Sequence, residues 1–159
     1  MSSLDVFVNN INKISKKRKL LTYAEIADHL SITESTLKQW ERRARAPTLK
    51  NIDSICNKLS IPTYIMLQRD ADLAFDYDFS NNNSRENMIK NLEEIFFKKG
   101  RFSWESRAAL FSGFVSVNML KQYFKKKDYR TPPLNRLDEM AEALGIPVYK
   151  IIKENGLND

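Results

Sequence analysis

The sequence predicts an all-α fold built from two tandem five-helix domains. Three observations support this prediction. Only four glycines occur in 159 residues, while Leu, Ile, Lys, Glu and Asn are plentiful. Apolar residues recur at the three- and four-residue spacing of amphipathic helices. One pattern also occurs twice in the chain. Because 42% of the residues are hydrophobic, the chain can form a packed core, which excludes wholesale disorder.

The duplication is clearest in two segments of 20 residues. Residues 47–66 and 132–151 share seven identities at an offset of 85. The identical positions in the first copy are Pro47, Leu49, Asp53, Leu59, Ile61, Pro62 and Tyr64. The offset is 83 between residues 36–43 and 119–126, and 81 between residues 20–23 and 101–104. The second copy therefore carries two insertions of two residues each. Two copies indicate a duplicated unit rather than a solenoid.

The first copy contains the signals of five short helices. An apolar stripe marks the first helix: Leu4, Phe7, Ile11 and Ile14. Thr22 and Glu25 have the spacing of a capping box, which predicts that a second helix opens there. A turn at 31–33 leads to a third helix over 34–43, and Pro47 breaks the chain. A second stripe marks the fourth helix, which precedes a short fifth helix opened by Pro62: Leu49, Ile52, Ile55, Cys56 and Leu59.

The second copy repeats these signals. Its apolar helix positions are Met88, Leu92, Ile95, Leu120, Tyr123, Leu134, Leu137, Met140, Ala141 and Leu144, and Ser103 is its equivalent cap. We predict domains at 1–69 and 85–159, joined by a linker at 70–84 that ends in a polar tract, 80–84, with the character of a turn or flexible joint. The linker has a net charge of −4, between domains of +6 and +4. Two basic domains favour a polyanionic partner.

Residues 23–41 have the spacing of a helix-turn-helix motif. The pattern supplies a small residue at the helix crossing, a turn residue, an apolar plug and a cap for the second helix: Ala27, Ser31, Ile32 and Thr33. Leu37 and Trp40 lie on the inner face of that helix, which leaves its polar face for a major groove. From Ala27 to Glu41 the pattern is A-x-x-L-x-I-T-x-x-x-L-x-x-W-E.

This pattern resembles the Cro/CI repressor, or XRE-type, helix-turn-helix family over residues 4–66. The resemblance implies two lambda-repressor-like domains, each with a recognition helix that enters the major groove of double-stranded DNA. In one departure, Ser31 stands where the family usually has glycine. A positive φ at Ser31 would carry an energetic cost but would not break the turn.

The resemblance also implies which residues contact DNA in the first copy. The base-contacting residues are expected to be Thr33, Glu34, Ser35, Lys38 and Gln39. Gln39 is suited to a bidentate pair with adenine, Lys38 to guanine acceptors and Glu34 to the cytosine amino group. Phosphate contacts are expected from Tyr23, Arg42, Arg43 and Arg45, because phosphate contacts fix register without selecting sequence.

The second copy is more divergent. Its expected base-facing residues are Ser116, Val117, Asn118, Lys121 and Gln122, and its phosphate contacts are Lys125, Lys126, Lys127 and Arg130. Residues 108–114 are two residues longer than their counterpart, so the turn must differ. Val117 and Met119 make the start of the helix more apolar. We expect this copy to contact DNA; the alternative is that it only packs.

Other classes of function have no residues to support them. His29 is the only histidine and has no neighbouring ligand cluster, so we expect no metal, no cofactor and no enzymatic activity. Trp40, Trp104 and Cys56 fit core positions. A single cysteine, no cleavable apolar leader and no long apolar stretch predict a reduced, cytoplasmic protein without a membrane span.

The sequence thus predicts a monomeric internal pseudo-dimer that binds DNA and represses transcription. Its design is also similar to the small double helix-turn-helix proteins encoded in transfer operons of conjugative plasmids of Gram-positive bacteria. That similarity implies repression of a transfer operon. Three alternatives remain at this point. The protein is an accessory factor at a transfer origin, or only its first copy binds DNA while the second dimerises or receives a partner, or it is the antitoxin-like partner of a toxin.

Overall fold

The computed structural model describes residues 1–74 and 76–159. These residues contain ten α-helices and a short 3-10 turn, Gly156–Asn158: α1 Ser3–Lys17, α2 Tyr23–Leu30, α3 Glu34–Glu41, α4 Leu49–Leu59, α5 Thr63–Met66, α6 Ser84–Lys98, α7 Trp104–Ala109, α8 Val117–Phe124, α9 Leu134–Leu144 and α10 Val148–Ile152. The all-α prediction is confirmed. Phe75, which falls in the predicted linker, lies outside the described residues.

Helix starts follow the local sequence signals. The hydroxyl of Thr22 accepts a hydrogen bond from the N–H of Glu25 at 3.1 Å, as the capping-box spacing predicts. The Glu25 carboxylate accepts from the N–H of Leu21 at 2.8 Å instead of the N–H of Thr22. The second half of the predicted box is therefore wrong by one residue. Ser103 caps α7 as predicted, through the N–H of Ser106.

The predicted apolar stripes form the core. The stripe residues of α1, α4, α6 and α9 are buried, except for Leu144 near the end of α9, which is half-buried. Trp40 is buried with its ring 6.1 Å from that of Phe7. Trp104 differs from its predicted core position: it is half-buried, because it packs against Phe124 at the surface with its ring centroids 5.4 Å apart.

The helices fall into two groups in chain order. We refer to α1–α5 as the N-terminal lobe and to α6–α10 as the C-terminal lobe. Most of their buried apolar side chains belong to one continuous core. Between the lobes, α1 packs on α9, α4 packs on α6 and α5 packs on α10. By their order in the two copies, α1 corresponds to α6 and α4 to α9, so the first two of these contacts are reciprocal.

Reciprocal hydrogen bonds join the segments that precede α4 and α9. The N–H of Leu49 donates to the carbonyl of Pro132 at 2.9 Å, and the N–H of Leu134 donates to the carbonyl of Pro47 at 3.0 Å. Leu49 and Leu134 are equivalent at the offset of 85, as are Pro47 and Pro132. In an isologous contact, residue i of one unit meets residue j of the other and the reverse also holds.

A second reciprocal pair lies at the first turns of α1 and α6. Ser3 donates its N–H and its hydroxyl to the Asp138 carboxylate at 3.0 and 2.5 Å. Ser84 donates the same two groups to the Asp53 carboxylate at 3.0 and 2.6 Å. Each carboxylate thus satisfies an N–H at the positive end of a helix in the other lobe. We call these Ser–Asp contacts, together with the Leu–Pro hydrogen bonds, the joint.

The polar tract 80–84 is more structured than a simple connector. Asn82 accepts from the N–H of Thr63 at 2.8 Å and donates to the Asn57 side chain at 2.8 Å. Ser84, predicted to end the linker, is buried and is the first residue of α6. Sequence spacing alone did not reveal these contacts because their partners lie 19 to 31 residues away.

Candidate nucleic-acid interface

The first motif has the internal geometry expected of two helices joined by a tight turn. Ser31 has φ of 56°, in the left-handed region, and the N–H of Ile32 donates to the carbonyl of Ala27 at 2.9 Å. The Thr33 hydroxyl caps α3 by accepting from the N–H of Thr36 at 3.1 Å. Leu37 and Trp40 are buried, 1% and 3% exposed, and hold α3 against the lobe. The structural roles predicted for these residues are confirmed.

The predicted base-contacting residues of α3 share its outer face. Glu34 and Ser35 are exposed, and Lys38 and Gln39 are half-buried. Thr33 is exposed as well, but its hydroxyl is shared between the N–H and the hydroxyl of Thr36. Glu34, Ser35 and Gln39 therefore offer the more available polar groups on this face.

Tyr23 and Lys38 are brought together at one edge of the motif. The Tyr23 hydroxyl donates to the Glu41 carboxylate, which raises the pKa of Tyr23. The Lys38 ammonium lies 5.3 Å from the centroid of the Tyr23 ring, within cation–π distance. Arg42 lines the same small cavity. The Tyr23 hydroxyl is thus used within the protein by Glu41, which differs from the free phosphate contact expected from the sequence, and Lys38 and Arg42 are the cations beside it.

The three arginines after α3 have different surroundings. Arg42 and Arg45 are exposed. Arg43 donates to the Asp5 carboxylate at 2.6 Å and to the carbonyls of Trp40 and Glu41 at 3.3 and 2.6 Å. Much of its guanidinium is therefore used within the protein, which differs from the free phosphate contact expected from the sequence. The third helix ends at Glu41, two residues before the end predicted from the sequence. Arg43 then has a φ of 60°, outside the helical region.

The second motif keeps the recognition helix but changes the turn. Between α7 and α8 the chain makes a longer loop in which Phe111 and Val115 are buried and Ser112 and Gly113 have positive φ. The longer turn agrees with the inserted residues. Leu120 and Tyr123 are buried, as Leu37 and Trp40 are in α3. The Ser116 hydroxyl caps α8 through the N–H of Met119 at 3.1 Å.

The outer face of α8 carries fewer polar side chains than that of α3, because Val117, expected from the sequence to face the bases, packs inward. Asn118 and Lys121 are exposed and Gln122 is half-buried, whereas Val117 and Met119 pack against the core. The predicted phosphate contacts all follow α8 and are exposed: Lys125, Lys126, Lys127 and Arg130. The structure thus leaves both sets of polar side chains accessible.

Both basic loops end at the joint. Residues 42–48 run from α3 to α4, and residues 125–133 run from α8 to α9. Thr48 and Pro133 form an antiparallel bridge where the two loops meet, and the N–H of Lys50 donates to the Thr131 hydroxyl at 3.2 Å. The loops that carry the exposed Lys and Arg residues therefore meet at their ends, beside the joint.

Sequence reasoning missed four residues around the motifs. Asp5 and Glu41 pair with Arg43 and Tyr23, and Arg85 lies 3.8 Å from the ring centroid of Tyr129 in the second basic loop. These partners are 18 to 44 residues apart in the chain, and a carboxylate or arginine near a helix end gives no sign of so distant a partner.

Comparisons with known proteins support the first motif. Residues 14–65 match the family model for a helix-turn-helix, from the last turn of α1 into α5. This match supports the resemblance to Cro/CI, XRE-type proteins and indicates a DNA-binding protein of the kind that regulates transcription. No curated protein and no solved structure matches the chain. Along residues 1–74 and 76–159, no helix is both long and apolar enough to cross a bilayer.

Proposed function

We propose that this chain binds double-stranded DNA sequence-specifically as a monomer, with both helix-turn-helix motifs in adjacent major grooves. The observation that carries the proposal is the reciprocity of the joint. Proteins of this type place two recognition helices on a pseudo-palindromic site by dimerising. Here two copies in one chain meet through equivalent residues, which supports an internal pseudo-dimer of the domains at 1–69 and 85–159.

The two half-sites bound by such a protein are not identical. The outer face of α3 carries Glu34 and Ser35 before its Lys-Gln pair, whereas α8 carries Asn118 there and its Val117 packs against the core. Because different side chains contact different base edges, the half-sites should share the positions opposite Lys-Gln and differ elsewhere. We further propose that binding represses transcription by excluding polymerase, and that the target is a conjugative transfer operon or another mobile element.

Selection from random duplexes tests this proposal. The full-length protein is incubated with a pool of random double-stranded DNA, and the bound fraction is sequenced and footprinted. One asymmetric site with two half-sites, bound by one chain, is the expected result. A reporter assay with the selected site inside a promoter then measures repression. Unchanged promoter output together with tight binding favours the accessory role at a transfer origin.

A second candidate function is favoured by one observation. The match to the helix-turn-helix family model covers residues 14–65, in the first copy, and the second copy has a longer turn and a recognition helix with apolar residues in its first turn. In this candidate only the N-terminal motif contacts bases, and the C-terminal lobe is a dimerisation or partner-binding module. Sedimentation of the free protein tests the first proposal, which requires a monomer: a stable dimer would exclude it and support the second.

A further inference from the structure

In each lobe, an arginine occupies the C-terminal end of the recognition helix. In the N-terminal lobe, Arg43 donates to the carbonyls of Trp40 and Glu41. In the C-terminal lobe, Arg85 donates to the carbonyl of Tyr123 at 2.8 Å and to that of Lys125. Trp40 and Tyr123 are equivalent positions at the offset of 83. The same helix-terminal carbonyl therefore receives a guanidinium in both copies.

The two arginines come from different places in the chain. Arg43 lies in the loop after α3 and reaches Asp5 in the first turn of α1, with 2.6 Å between nitrogen and carboxylate oxygen. Arg85 itself lies in the first turn of α6 and reaches across to α8. In both lobes the result is one bridge, from the first turn of the first helix to the end of the recognition helix. The duplicated sequence does not show it, because Arg85 corresponds to Leu4.

The first turns that anchor these bridges are also the first turns held by the joint. Ser3 of α1 bonds to Asp138, and Ser84 of α6 bonds to Asp53. Ser84 and Arg85 are adjacent, so one turn of α6 touches the N-terminal lobe and the end of α8 at once. Each recognition helix is thus connected to the other lobe through a carboxylate, a serine and a guanidinium.

We propose that Arg43 and Arg85 are equivalent positioning residues that hold the two recognition helices at a set orientation relative to the joint. A cation with several directed donors satisfies the free carbonyls at a helix C-terminus and interacts favourably with the helix dipole. Arg85 also stacks 3.8 Å from the ring centroid of Tyr129, and so holds the loop that carries Lys125, Lys126, Lys127 and Arg130. Fixed orientation of both helices sets the half-site spacing that the protein accepts. The effect on half-site spacing rests on the proposed function.

The test has one arm without DNA and one with it. In the first arm, hydrogen exchange is measured on the free full-length protein for wild type and for Arg85→Met and Arg85→Lys. We expect at least tenfold faster exchange at the amides of residues 122–130 in Arg85→Met, with a smaller change in Arg85→Lys because lysine keeps the charge without the planar donor array. Arg107→Met is the matched control, since Arg107 packs on Phe96 and Trp104 in the same lobe.

In the second arm, affinity is measured for the selected duplex and for the same duplex with two base pairs inserted between its half-sites. We divide the dissociation constant for the extended duplex by that for the selected duplex. This ratio should fall at least fivefold in Arg85→Met and in Arg43→Met. A variant that is only less folded weakens both duplexes equally and leaves this ratio unchanged. Arg18→Met is the N-terminal control, because Arg18 donates to the last carbonyl of α4 at Leu59 rather than to the recognition helix.

The outcomes separate this inference from the proposed function. If wild type selects no duplex, the proposed function is wrong, and the exchange arm alone still decides whether Arg85 holds the end of α8. If wild type discriminates spacing and the two arginine variants discriminate it equally well, the inference is wrong. Unchanged exchange at residues 122–130 in Arg85→Met also overturns it.

Discussion

Ser84 donates both its backbone N–H and its hydroxyl to the Asp53 carboxylate, which joins the first turn of α6 to α4. Asp53 also accepts from the Thr63 hydroxyl at 2.7 Å. Burial raises the pKa of this carboxyl in spite of these three hydrogen bonds, so its charge has been brought to the joint at a cost. This half of the joint is consequently a polar contact in which three donors depend on the single side chain of Asp53.

Removing the Asp53 side chain should lower the stability of the whole protein. Asp53→Ala leaves the donors of Ser84 and Thr63 without their acceptor, and the expected loss is about 1–3 kcal/mol in the free energy of unfolding. Urea unfolding followed by circular dichroism measures it. Asp70→Ala, at an exposed position of the linker, is the control and should stay within about 0.5 kcal/mol of wild type. Equal stabilities of the two variants would contradict the role given to Asp53.

Ser31 offers the opposite prediction, a gain in stability. Its φ of 56° is in the left-handed region, which costs an L-residue about 1–2 kcal/mol that glycine does not pay. After the greater backbone entropy of glycine is subtracted, Ser31→Gly should stabilise the protein by about 0.5–1 kcal/mol. Ser54→Gly, on the exposed side of α4, should instead destabilise it by about 0.5 kcal/mol. Thermal unfolding of both variants checks the two signs together.

Cys56 should make the free energy of unfolding decrease as the pH rises through the alkaline range. Burial raises the pKa of its thiol from 9.0 to about 12. The unfolded thiol therefore ionises first. The stabilising contribution is fully present below pH 9 and is lost as the pH rises toward 12, with a slope of about 1.4 kcal/mol per pH unit. Cys56→Ala, which installs the residue found at the equivalent position Ala141, should remove this slope. Parallel pH profiles for the two proteins in urea unfolding would refute the prediction.

The exposed basic residues of the two loops should act through phosphates. Arg45→Ala and Lys126→Ala are each expected to weaken binding to specific and random DNA alike and to reduce the slope of log affinity against log salt by about 1. Gln39→Ala should cost about 1–3 kcal/mol on the selected site and relax the preference at one base pair. Titrations at several salt concentrations distinguish the two kinds of residue. Identical salt and sequence profiles for all three variants would contradict this distinction between phosphate contacts and a base contact.

The sequence predicts most of the helices because their signals are local. Thr33 and Ser116 cap the helices that follow them, and the stripes of α1 and α4 are buried as their spacing requires. The order of the two copies was equally visible, since Pro62 and Tyr64 recur 85 residues later. These features depend on residues three to eight positions apart, or on identity between copies.

What the sequence does not predict depends on distant partners. The residue type and position of Arg43 indicate a phosphate contact, but its guanidinium donates to the carboxylate of Asp5, 38 residues away. Arg85 has no equivalent in the first copy, and only the packing of α6 near α8 shows that it reaches Tyr123. Hydrogen bonds between residues far apart in the chain leave no periodic signal, so these contacts were found only in the fold.

Footprinting at a measured stoichiometry tests most directly whether one chain occupies both half-sites. Wild type should sediment with its selected duplex as one protein per DNA and protect two half-sites. The double variant Lys121→Ala plus Gln122→Ala should lose protection over one half-site and keep it over the other. A complex of two proteins per DNA, with a symmetric footprint that survives this double substitution, would contradict the account.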